Sequence, residues 1–79
     1  MFNQLFDFVS SDLLGDHLIF ESCTLKRPLA QYPQGTHFDA ANVDLVNGIL
    51  SMEDVVEGES SVRGRYDITA ILGDSRWKA

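Results

Sequence analysis

Scarcity excludes more in this sequence than any motif does. Cys23 is the only cysteine among 79 residues, so no disulfide forms within the chain. With His17 and His37 it completes the soft metal ligands, and none of the paired spacings of a zinc site is present. No run of about 18 apolar residues exists, which excludes a membrane-spanning helix. The opening MFNQLFDFVSSD carries acidic residues where a signal peptide needs basic ones, so no targeting segment is expected. Basic residues number only six, as the pairs Lys26-Arg27, Arg63/Arg65 and Arg76/Lys78, and are absent from 1–25 and from 36–59. A net charge of −6 with that distribution argues against binding duplex nucleic acid, which requires a basic field.

Chemistry is equally scarce. There is no phosphate-cradling glycine loop and no nucleophile elbow. Asp16-His17 and His37-Phe38-Asp39 each set a carboxylate beside an imidazole, but neighbouring side chains on a strand point to opposite faces. Glu53, Asp54, Glu57 and Glu59 lack the spaced acids and central glycine of a calcium loop. The expectation is a non-enzymatic protein without metal or cofactor.

What is present is a globular pattern. The 44% hydrophobic content suits a folded chain, and the length suits one domain, residues 1–79, with a thin core. So small a domain often gains stability from a partner or from oligomerisation. Phe2, Leu5, Phe6, Val9 and Leu13 fall at helical spacing ahead of Gly15, which predicts an amphipathic helix over 2–14. HLIFESCTL, 17–25, reads as a strand. KRPLAQYPQG holds both prolines and predicts an exposed loop over 26–35. Asn47-Gly48 between apolar runs predicts a type I′ hairpin rather than a short helix capped by Asp39. Ser51 and Asp54 suggest a helical turn over 52–56 that ends at Gly58. RGRYDITAIL alternates as a strand, Gly73-Asp74 turns it, and Ser75-Arg76-Trp77 starts a short last one. The sum is an α+β, β-rich fold: an N-terminal helix on a small antiparallel sheet, or partial barrel, of four to five strands within about 17–77.

Three segments, LFDFVSSDLLGDHLIF, ILSMEDV and GRYDITAILGDSRW, resemble the small head–tail joining proteins of lambda-like tailed phages. The first matches that family's helix leading through a glycine into a strand, and the others its strand, acidic turn and late strand. The resemblance covers about half the chain and leaves 26–42 unmatched. It implies a homo-oligomeric ring subunit between portal-side and tail proteins, located in the virion and assembled in the host cytoplasm. The competing class is a small acidic, cytoplasmic inhibitor whose carboxylates over 39–59 imitate nucleic acid in a basic groove of a host enzyme. A capsid-decorating module is a further alternative. In each case the partner is protein. The candidate partner-binding residues are Lys26, Arg27, Leu29 and Tyr32 on the proline-rich loop and Glu53, Asp54 and Glu57 on the acidic stretch.

Overall fold

A computed structural model describes residues 2–73. The chain forms α1 (Phe2–Leu5), β1 (Phe6–Asp7), β2 (Ser10–Leu14), β3 (His17–Leu25), β4 (His37–Asp44), β5 (Ile49–Val56), β6 (Glu59–Asp67) and α2 (Ile68–Gly73). The strands make an open antiparallel sheet ordered β1-β3-β4-β5-β6, with β2 also on β3. β1 and β2 are one interrupted edge strand, since both hold the same register against β3 (Asp7↔Thr24, Ser10↔Glu21). Membership of the β class and the strand over 17–25 therefore agree with the sequence reading. The helix over 2–14 does not.

That helix stops after one turn for a local reason and a distant one. Ser10, Ser11 and Asp12 are poor helix interior residues, because their side chains compete for backbone groups. Gly15, at φ 61°, then supplies the positive φ of a two-residue turn, which lays 10–14 back on 17–21. Of the apolar stripe, Leu5 and Phe6 are buried, whereas Val9 and Leu13 are 81% and 60% exposed.

Period-two alternation builds the core face. Leu18, Val43, Leu50 and Tyr66 form one cross-strand row, and Phe20, Ala41, Met52 and Gly64 the next. The intervening rows, His17-Asp44-Ile49-Asp67 and Ile19-Asn42-Ser51-Arg65, carry the polar face. On β3 the alternation then breaks, and buried positions step by three from Phe20 to Cys23. The break coincides with Ser22, at φ 53°. β4 makes the same step from Phe38 to Ala41, so both strands change the face they bury at one level. Beyond it, Cys23, Leu25 and Phe38 meet Leu5, Phe6 and Leu29 in one continuous core.

Three further expectations are corrected. Asn47-Gly48 does lie in a hairpin, but the turn spans four residues, 45–48, between Asp44 and Ile49. The Asp44 carboxylate accepts hydrogen bonds from Val46 N and Asn47 N, both at 3.0 Å, and from Asn47 Nδ2 at 2.8 Å. Gly48 N donates to Asp44 O at 2.8 Å, and Gly48 alone in the turn has positive φ. A carboxylate that can organise two amides thus replaces the tighter type I′ turn. A two-residue hairpin with positive φ at both positions lies instead at Glu57-Gly58, with φ of 54° and 80°, so 52–56 is strand rather than helical turn. The late strand ends at Asp67, whose Oδ1 accepts from Thr69 N at 2.8 Å and starts α2. Among the described residues the strands then number six, against the four to five expected. The expected strand at 75–77 lies outside the described residues.

Two measurements check the turns. Glu57 bears a left-handed conformation that asparagine tolerates better, so Glu57→Asn should raise stability by about 0.5–1 kcal/mol in a denaturant titration. The bond from the Asn47 side chain, then those from the Asn47 and Val46 amides, hold the Asp44 carboxyl below the usual aspartate range. A lowered folded-state pKa gives stability that is complete above the unfolded value of about 4 and is lost as pH falls through the folded value. Asp44→Asn should remove that component, seen as a flatter dependence of the midpoint on pH in the acid range.

Candidate interaction surface

The residues expected to bind a partner divide on folding. On the loop, Leu29 N donates to Tyr32 O at 2.8 Å and Tyr32 N to Leu29 O at 2.9 Å, a miniature hairpin around Ala30 and Gln31. Leu29 is 5% exposed and belongs to the core, while Tyr32 packs edge-on against Phe38 at 5.1 Å. The loop expected to be exposed over 26–35 is therefore folded back at its two apolar residues, although Pro28, Pro33 and Gln34 stay exposed. Apolar burial outweighs the extended preference of the prolines. Lys26 Nζ donates to Asn3 O at 2.9 Å, which ties the loop to α1, and Arg27 is half-buried.

The acidic candidates sit on the β5–β6 hairpin, whose tip parts from β4. Pairing of β4 with β5 ends at Ala40↔Glu53, so Asp54–Val56 pair with β6 alone. The gap is bridged by carboxylates: Asp39 Oδ2 accepts from Val55 N at 2.7 Å, and Asp54 Oδ1 accepts from Asp39 N at 3.2 Å. Asp54 Oδ2 meets Arg63 Nη1 at 2.9 Å, and Glu53 accepts from the Ser60 hydroxyl. Glu57 is exposed in the turn. Two of the three acids are thus engaged within the chain.

Arg63 organises this end, and no motif around it points to that role. Register shifts at Met52/Glu53, where Gly64 pairs Met52 and Val62 pairs Glu53, leaving Arg63 as the bulged residue. A bulge re-aims its side chain. The guanidinium lies 4.6 Å from the Phe38 ring centre and 5.0 Å from that of Tyr32, and Nη1 also reaches His37 O at 3.3 Å. Tyr32 Oη donates to Arg63 O at 3.0 Å, so the loop is fastened to β6 from both sides. A Cβ at Gly64 would crowd the end of the Tyr66 ring, 2.8 Å from Cζ, so a larger residue there needs that ring to shift.

The groups capable of chemistry stay apart. His17 and His37 lie at opposite ends of β3 (the second faces Thr24), roughly 23 Å apart at about 3.3 Å per residue. His17 Nδ1 is 2.9 Å from Asn42 Oδ1, and His37 Nδ1 is 3.2 Å from Thr24 Oγ1, with its Nε2 3.8 Å from Asp39. Cys23 is fully buried, and burial pushes its thiol up to about 11 against a weaker opposing hydrogen bond with the Ala41 backbone. Among the described residues no group of three or more His, Cys, Asp or Glu side chains is placed to hold a metal ion, and no helix is long and apolar enough to cross a membrane.

Exposed apolar side chains mark the surface more clearly than charge. They are Val9, Leu13 and Leu14 on the β2 edge, Leu45 and Val46 in the 45–48 turn, and Val55, Val56 and Val62 at the hairpin tip. The sequence reading assigned the first two to a helix stripe and so missed this surface. Compared with protein-family models, curated proteins and solved structures, the chain matches none.

Arg63→Ala should destabilise the fold by about 1–2 kcal/mol. Most of the loss comes from its two aromatic contacts, because a part-exposed ion pair contributes little. Arg63→Lys should recover less than half, since an ammonium keeps the charge but not the planar stacking. Thermal denaturation of the two variants beside the parent decides this.

Proposed function

We propose that the protein is a non-enzymatic assembly subunit that works through contacts with other protein subunits, and that it serves as a ring-forming connector at a head–tail junction of a tailed phage. The observation that carries the assembly reading is the set of large apolar side chains, eight among the described residues, exposed on the β2 edge, in the 45–48 turn and on the β5–β6 hairpin. Contact with further subunits would remove that surface from water, at about 25 cal/mol per Å². The resemblance of LFDFVSSDLLGDHLIF, ILSMEDV and GRYDITAILGDSRW to head–tail joining proteins, one of sequence alone since 10–14 is strand rather than helix, supports the narrower assignment and a place in the virion. Acidic mimicry is the weaker alternative. A mimic needs free carboxylates, and Asp54 is paired with Arg63 while Glu53 holds Ser60.

Purified particles from the native source provide the test. Mass spectrometry should find the chain in the particle at several copies, and labelled antibody should place it at the neck by electron microscopy. Absence from particles, with recovery of a one-to-one complex with a basic enzyme, would replace the connector reading by the inhibitor one.

A further inference from the structure

Asn3, Asn42 and Asn47 are the asparagines of the chain, and only Asn47 precedes a glycine. That neighbour matters chemically. A backbone nitrogen can close on the preceding asparagine's side-chain carbon to form a succinimide ring, and glycine has no side chain to hinder the approach. In the folded 45–48 turn this attack is blocked at both reacting groups. Gly48 N donates to Asp44 O at 2.8 Å, and Asn47 Nδ2 donates to Asp44 Oδ2, also at 2.8 Å. Asp44 Oδ1 accepts from the Val46 and Asn47 amides, both at 3.0 Å. One residue therefore holds the nucleophile and the amide it would attack, each on a separate atom. Residues 45–47 are exposed, so solvent reaches the amide once those bonds release.

We propose that Asn47 is a self-modification site, converted to aspartate or isoaspartate when the 45–48 turn opens, and that Asp44 keeps the turn closed. In the open turn hydroxide or a buffer base takes the Gly48 N proton, and that nitrogen bonds to Asn47 Cγ. The Cγ–Nδ2 bond then breaks, and Nδ2 takes up a proton and leaves as ammonia. Water adds to one carbonyl of the succinimide and cleaves its bond to the ring nitrogen. Opening at Cγ restores the ordinary backbone with aspartate at position 47. Opening at the main-chain carbonyl leaves isoaspartate, with the chain running through the former side chain. Both products lose the Nδ2 donor and set a new carboxylate against that of Asp44, a repulsive pair. Isoaspartate also adds a methylene ahead of Gly48, whose carbonyl accepts from Ile68 N at 2.9 Å and seats the start of α2. A converted turn cannot close as before, so the mark is one-way. The chemistry does not depend on the connector reading and holds for the chain in isolation.

Timed incubation of the full chain at mildly alkaline pH, followed by digestion and peptide mass spectrometry, tests this. The readout is the amide-to-acid mass gain and the isoaspartate content of the peptide spanning 45–48. The parent should convert at Asn47 ahead of Asn3 and Asn42, at least about tenfold more slowly than the urea-unfolded chain. Urea below the unfolding transition should leave that rate nearly unchanged, because local opening of a turn exposes little surface. Asp44→Ala should convert roughly tenfold faster than the folded parent, and Asp44→Asn, which keeps one accepting oxygen, at a rate in between. Circular dichroism checks the fold of both variants, and Asp44→Asn decides the matter should Asp44→Ala not fold. A folded parent that converts as fast as the unfolded chain would overturn the proposal, as would earlier conversion at Asn3 or Asn42. Folded Asp44 variants that match the parent, or a parent rate that climbs steeply with urea below the transition, would remove Asp44 as the gate.

Discussion

The contact of Phe20 with Phe2, Phe6 and Phe8, at ring separations of 5.5, 5.1 and 4.7 Å, sets the course of the first third of the chain. Phe20 stands on β3, which is paired on both sides, so its position is fixed by the sheet. The other three rings reach it only if the chain leaves the helical path after Leu5 and runs antiparallel to β3. A continuous helix over 2–14 would satisfy its own backbone but leave the edge of β3 unpaired. The sheet wins because it buries Phe6 completely and pairs alternate amides of 10–14 with β3 at the same time. Ser22 extends the arrangement, since its positive φ accompanies the change of face that brings Cys23 and Leu25 under Leu5 and Leu29.

From that core the two edges diverge. On one side Arg63, pushed out of register by the bulge, reaches across to Tyr32 and Phe38 and fastens the proline-rich loop down. The charged groups there are largely absorbed in stabilising a loop and a projecting hairpin. On the other side β2 pairs only once, and its apolar residues face water. A protein of this size gains from covering such an edge, so the open strand and the exposed turn tips are where assembly contacts belong.

Much of the fold was legible wherever local preference and tertiary need agree. HLIFESCTL has the residue types of a strand and is one, and Asn47-Gly48 marks a real reversal. Legibility ended where two periods fit the same residues. Phe2, Leu5, Phe6, Val9 and Leu13 satisfy a helix on paper, and only the hairpin through Gly15 decides against it. Glu57 concealed a two-residue turn, because glutamate at positive φ gives no warning. RGRYDITAIL alternates beyond Asp67, yet an Asp67 side chain capping Thr69 starts a helix there. Of the candidate partner residues, Leu29 and Tyr32 were noticed for their chemistry but belong to the core and its margin. Arg63 escaped notice because a bulge depends on pairing, which a single strand does not reveal.

The central claim is that 6–7 and 10–14 are an extended edge, interrupted at 8–9, laid on β3 by the phenylalanine cluster. Nuclear Overhauser spectroscopy of the full chain measures this directly. Cross-strand contacts linking Ser11 with Phe20 and Leu13 with Leu18, together with extended-type Cα shifts over 10–14, are the result the structure requires. Sequential amide contacts and helical shifts running unbroken from Phe2 to Leu14, without those cross-strand contacts, would contradict it.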